Sequence, residues 1–173
     1  NYQWFMRDGG TFSNGQPSLR VGTPSGADFT FAQDSVDPTL WIGTANANWE
    51  IRQNGTEFAV RNMGGEIFRF QKRTNTSSGA VFYRIESMED SIGNNYTFSY
   101  SNVNDTLVRQ ITDPSGRWLK VTYLNQGGFA QQRVTLGSSP AESATGVWNE
   151  VTVTNTTACR FLTLFYANDF TND

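Results

Sequence analysis

Asn48-Trp49-Glu50-Ile51-Arg52-Gln53-Asn54-Gly55-Thr56-Glu57-Phe58-Ala59-Val60-Arg61 decides the fold. Apolar and polar residues alternate on either side of Asn54-Gly55, and a period of two marks a strand with one buried face. Asn-Gly is the strongest short-range hairpin signal, because both residues tolerate the positive φ of a tight turn. The segment therefore predicts strands over Asn48–Gln53 and Thr56–Arg61. The same grammar extends outward. Ser18–Gly22 and Ala27–Gln33 flank Thr23-Pro24-Ser25-Gly26, and Glu66–Gln71 follows Met63-Gly64-Gly65. Ala80–Ser87 and Asn95–Ser101 flank a polar loop, Met88–Asn94, while Thr106–Thr112 and Arg117–Leu124 flank Asp113-Pro114-Ser115-Gly116. Further strands are expected over Gln131–Leu136, Glu150–Thr154 and Arg160–Ala167, and Pro140–Val147 is the one stretch suited to a helical turn. The expected fold is all-β: an antiparallel hairpin meander forming a curved sheet.

Overlaying the hairpins brings out a repeat: glycine, two residues, an apolar residue, any residue, an apolar residue. It occurs as Gly26/Phe29/Phe31, Gly55/Phe58/Val60, Gly65/Phe68/Phe70, Gly93/Tyr96/Phe98 and Gly116/Leu119/Val121. Glycine closes each turn and the apolar pair gives the outgoing strand its inward face. Composition agrees. The 173 residues hold 13 Phe, 6 Tyr and 5 Trp against 8 Leu, with 20 Thr and 14 Ser. Aromatic and β-branched residues suit a pleated surface, and strong helix formers are scarce. Gln126-Gly127-Gly128 reads as a boundary, dividing hairpins over 1–125 from further strands over 126–173 that begin a second β module.

The same composition excludes several chemistries. With no histidine there is no Ser-His-Asp or Cys-His catalysis and no histidine-bearing zinc site. A single cysteine, Cys159, makes neither an internal disulfide nor a thiolate cluster, and reads as a small buried hydrophobe. A net charge of −3 gives no electrostatic case for nucleic acid or an anionic membrane. No apolar run is long enough for membrane insertion as a helix. Opening on Asn1, the chain reads as a processed or excised piece.

Residues 95–124 resemble one unit of the RHS/YD-repeat family. Tyr100 and Tyr123 occupy its tyrosine positions, Leu107 its leucine, Ile111 its inward residue, and Asp113-Pro114-Ser115-Gly116-Arg117 its Asp-Pro-x-Gly-Arg turn. Phe82–Asn94 is similar to a degenerate preceding unit. Arg20–Phe31 and Asn48–Phe70 are similar to the Trp- and Gly-rich hairpins that lead into such repeats, so the likeness spans about residues 18–124. The pattern is broken at Ser101 and Leu124, where the family has aspartate, and at Asp105-Thr106, where it has Gly-Arg. The resemblance implies part of a β-shell: a non-enzymatic wall of hairpins that encloses or displays something else. Its partners would be other parts of a larger parent chain or neighbouring copies, at an extracellular or cell-surface location. Turn residues Gly26, Gly55, Gly65, Gly93, Asp113, Pro114 and Gly116 and wall residues Tyr100, Leu107, Ile111 and Tyr123 would carry that role.

Two other classes compete. Trp41 and Trp49, with Asn46 and Asn48 beside them, suit a sugar-stacking platform, as in a carbohydrate-binding β-sandwich module recognising glycans. A hydrolase would need two of the 16 acidic residues paired across a cleft, one with a raised pKa. Glu89, Asp90, Asn94 and Asn95 carry oxygens but lack the spacing of a calcium loop, so no metal or cofactor is assigned. Arg52, Arg61, Arg69 and Arg84 fall on adjacent strands where Glu57, Glu66 and Glu86 can sit across from them, a structural arrangement rather than an anion site. Trp118 alternates with Leu119, so it faces away from the apolar pair, exposed or packed on a neighbouring layer. Sequons occur at Asn54, Asn75, Asn95, Asn104 and Asn155, which exceeds chance by too little to establish glycosylation.

Overall fold

The computed structural model describes residues 4–44, 48–126, 129–137 and 160–165. The protein is all-β, with antiparallel strands throughout. It divides into two compact units, Asn1–Tyr96 and Thr97–Asp173. The first holds β1 (Phe5–Thr11), β2 (Pro17–Gly22), β3 (Asp28–Gln33), β4 (Leu40–Gly43), β5 (Glu50–Asn54), β6 (Glu57–Arg61), β7 (Ile67–Thr74) and β8 (Val81–Glu89). The division falls inside β9 (Asn95–Ser99); β10 (Gln110–Thr112), β11 (Trp118–Gln126), β12 (Phe129–Gly137) and β13 (Arg160–Phe165) follow in the second. In each unit the strand order repeats the chain order.

Register explains the core of the first unit. Trp41, Ile51, Val60, Phe68 and Met88 stand opposite one another in successive strands, and Phe58, Phe70 and Ile85 form the next row. Phe31, Phe68, Phe70, Ile51, Val21 and Val60 are fully buried. Each such side chain contributes about 1.5–3 kcal/mol relative to exposure, and a one-residue slip would turn all of them to the other face. The eight strands curl until β1 lies against β8. Phe58 meets Tyr83 edge-on inside the curl, with ring centroids 5.3 Å apart.

Two strands, β1 and β4, carry no clear signal in the sequence. Gly9-Gly10 reads as a breaker, but β1 absorbs it as a bulge between Asp8 and Gly10. β4 is only 4 residues long, too short to display a period. Two expected bounds also move. Met88 and Glu89 belong to β8 rather than to the polar loop. Only Gln110–Thr112 of the segment 106–112 is strand. Across the boundary placed at 126–128, Gln126 of β11 stands opposite Phe129 of β12. Asn46, Cys159, Asn155, Pro140–Val147 and Glu150–Thr154 lie outside the described residues.

Candidate functional site

The candidate site on this framework is a set of turns and the sheet surface they hold. Phe12–Gln16, Thr23–Ala27, Asn62–Glu66, Asp90–Asn94 and Asp113–Arg117 close by one pattern. The first residue donates its N–H to the carbonyl of the fifth and the fourth donates to the carbonyl of the first, at 2.9–3.1 Å. This is the three-residue hairpin loop in which a type I turn is followed by a left-handed residue. Gly26, Gly65, Gly93 and Gly116 occupy that fourth position with φ of 86°, 82°, 89° and 81°. Gly15, at φ 81°, is a fifth. The repeat pattern passes over it because Ser18 and Arg20 follow in place of an apolar pair, although Asn14-Gly15 itself is a turn signal. Gly55 differs: at φ 60° it is the first of two loop residues between the paired Asn54 and Glu57.

Asp113 shows what the Asp-Pro-x-Gly-Arg letters do. Its Oδ1 accepts the N–H of Ser115 at 2.9 Å and of Arg117 at 2.8 Å, and Oδ2 accepts Arg117 Nε at 2.6 Å. Desolvation raises the pKa of this carboxyl, but the Arg117 side chain and the two N–H donors outweigh it and hold the pKa below the ordinary value. Asp90 is lowered by the Asn94 side chain first, against desolvation, with the N–H groups of Asn94, Ile92 and Gly93 assisting.

The wall residues separate. Ile111 stands in register between Phe98 of β9 and Leu119 of β11, and Tyr100 directly follows β9. Tyr123 lies in β11 opposite Gln132. Leu107 departs from expectation: it lies in the loop before β10 and is 38% exposed, while Val108 is buried. The cause is Asp105, whose Oδ1 accepts the Leu107 N–H at 2.9 Å and turns the chain, shifting the inward position by one residue. Asp105 Oδ2 also accepts Arg109 Nε at 3.2 Å. Trp118 is buried, and the Lys120 ammonium lies 4.7 Å from its ring centroid. Lys120 is buried too, where alternation with Leu119 and Val121 alone suggests an exposed face.

The expected tryptophan pair does not form a platform. Trp41 is 7% exposed in the core row, where its indole N–H donates to Gln53 Oε1 at 3.2 Å. Trp49 joins a different group. It stacks on Phe29 with centroids 4.5 Å apart and meets Trp4 at 6.2 Å, while Trp4 stacks on Phe68 at 3.9 Å. Trp4, Phe29, Trp49 and Phe68 stand at the starts of β1, β3, β5 and β7, which in an antiparallel meander all begin at the same end. The four rings therefore fill one end of the first unit's curl. Asn48 is exposed and its amide donates to Met63 Sδ at 3.5 Å.

No known protein family, characterised protein or solved structure matches this chain.

Charged side chains occupy the opposite face of the first unit. Arg69 bridges Glu57 and Glu89, Arg73 and Arg84 share Glu86, and Arg52 reaches Asp37. Arg61 stands opposite Glu50, whereas Glu66 bonds Asn62 in its own turn. Glu89 is thus engaged by Arg69, and Asp90, Asn94 and the N–H groups of Ile92 and Gly93 are spent on their turn. Among the described residues, no three of His, Cys, Asp and Glu gather as a metal-ligand group. The carboxyls of Asp34, Asp37, Asp90, Asp105 and Asp113 all have lowered pKa values. That direction suits turn caps, whereas a general acid needs a raised value.

Proposed function

We propose that this chain is a non-enzymatic structural segment of a larger extracellular or cell-surface protein, built as a YD-repeat-like wall of β-hairpins. One observation carries the reading: in both units the strands follow one another in chain order, joined by turns of a recurring design. Such a meander can be lengthened at its ends by further hairpins without rearranging those already formed. Its partners are then neighbouring hairpins of a parent chain or adjacent copies. The carboxyl groups that depart from ordinary pKa values serve turns, and Trp41, one of the two tryptophans expected to stack on sugars, is covered by the core.

Cryo-electron microscopy of the chain expressed with its native flanking sequence tests this. The expected image is a continuous hairpin sheet running past the segment. A segment that stands alone between unrelated domains overturns the reading. So does glycan-array binding that is lost in Trp49→Ala while the fold is retained.

A further inference from the structure

We propose that Asn54 is a site of spontaneous covalent modification, in which its side-chain amide is lost through a cyclic imide with Gly55. The chain contains two Asn-Gly pairs, Asn14-Gly15 and Asn54-Gly55, and the fold treats them oppositely. Imide formation requires the backbone nitrogen of the glycine to attack the asparagine Cγ. The Gly15 N–H is engaged, donating to the Phe12 carbonyl at 2.9 Å. The Asn14 amide is also held at both ends: Oδ1 accepts the Gln16 N–H at 3.0 Å and Nδ2 donates to Gln16 Oε1 at 3.2 Å.

Asn54-Gly55 has none of these restraints. Asn54 and Gly55 are both exposed at the tip of the β5–β6 hairpin. Among the described residues, the Gly55 N–H has no backbone acceptor outside the strand ladders, because it belongs to the first of the two loop residues. The position a Cβ would take has no neighbouring atom within 4 Å at either glycine, so crowding does not separate the two sites and the hydrogen bonds do.

The step balances with water as its only co-reactant. The Gly55 nitrogen forms a bond to Asn54 Cγ, the Cγ–Nδ2 bond breaks, and ammonia leaves with the proton from the Gly55 N–H. Water then opens the imide at one of its two carbonyls, giving aspartate or the isoaspartyl isomer. Either product strains the hairpin. Aspartate puts a carboxylate directly opposite Glu57, its ladder partner. The isoaspartyl link adds a backbone carbon beside the loop that sets the register of Ile51 against Val60.

The test is peptide mass mapping of the full chain, made without N-glycosylation because Asn54-Gly55-Thr56 is also an acceptor triplet, after incubation at mildly alkaline pH. Folded protein should lose the Asn54 amide at least about tenfold faster than the Asn14 amide, because the three hydrogen bonds at Asn14 and Gly15 oppose the attack there. Protein incubated in urea should lose both at similar rates. Equal rates in the folded state, or faster loss at Asn14, overturn the proposal.

Discussion

Replacing Trp4 by Ala and Phe68 by Leu, singly and together, probes the aromatic end of the first unit. Phe68 is 2% exposed, so its ring is part of the core, and Trp4 lies over it at 3.9 Å with the planes inclined by 29°. Trp4 is partly covered; burying most of a side chain that can cover 150–250 Å² contributes about 2–3 kcal/mol after allowing for a compact unfolded state. Trp4→Ala should therefore destabilise by about 2–3 kcal/mol. Phe68→Leu keeps an apolar side chain of similar bulk and should cost about 1–1.5 kcal/mol, leaving the protein folded. Stacked aromatic pairs contribute about 0.5–1.5 kcal/mol beyond area, and either substitution removes that share. The double variant should then be more stable than the sum of the single losses predicts, by about 0.5–1.5 kcal/mol. Urea unfolding followed by far-ultraviolet circular dichroism gives the four free energies. A coupling within about 0.3 kcal/mol of zero refutes the idea that Trp4 fastens β1 to the core through Phe68.

Gly26→Ala places a Cβ in open space at φ 86°, so its cost is backbone strain alone, about 1 kcal/mol, and Gly26→Asn should recover part of it. Thermal melts that rank Asn below Ala count against a left-handed turn there. Gly22→Ala should be far more damaging at an ordinary φ, because the new Cβ would collide with the Phe5 ring; a melting temperature equal to that of Gly26→Ala refutes that packing. Asp34, Asp37, Asp90, Asp105 and Asp113 have pKa values lowered from 3.8, so the stability they confer is present above about pH 4 and is lost as pH falls through their folded values. Urea midpoints should accordingly fall between pH 6 and pH 3, and fall less in an Asp90→Asn, Asp113→Asn double variant; a midpoint that rises on acidification reverses the sign. Trp41→Ala, which opens a hole beside Ile51, should cost about 3–5 kcal/mol by denaturation, and near-neutral stability would place the indole outside the core.

The hairpin grammar around Asn54-Gly55 was legible because turn chemistry and period-2 alternation are local. It located β2, β3, β5, β6 and β7 to within a few residues, and its apolar pairs at Phe58/Val60 and Phe68/Phe70 are buried. What it lacked was the third dimension of the curl. Trp41 and Trp49 are eight positions apart and read as a pair. Yet Trp41 lies in the ladder opposite Ile51, while Trp49 precedes β5 and meets Phe29 and Trp4, which are distant in sequence. Only the alignment of odd-numbered strand starts brings those rings together. Leu107 illustrates a smaller failure. The alternation Thr106, Leu107, Val108 gives no reason to prefer one apolar residue over the next, and the Asp105 side chain decides it by bonding the Leu107 N–H.

The recurrence that matters is therefore one of bonds rather than letters. Asp113-Pro114-Ser115-Gly116-Arg117, Asp90-Ser91-Ile92-Gly93-Asn94 and Asn62-Met63-Gly64-Gly65-Glu66 agree throughout only in the glycine at the fourth place. All three add a clasp between the side chains of the first and fifth residues: Arg117 to Asp113, Asn94 to Asp90, and Asn62 to Glu66 with donor and acceptor exchanged. Geometry fixes glycine because the fourth residue must be left-handed, and it permits a polar clasp because the first and fifth side chains leave neighbouring ends of the hairpin on the same side, although Phe12/Gln16 and Thr23/Ala27 close the same turn without one. It leaves the chemistry of that pair free. Asp-Pro-x-Gly-Arg is one solution among several that a single meander uses side by side. That freedom lets hairpins with unlike sequences follow one another along the chain, which is the property a wall of them requires.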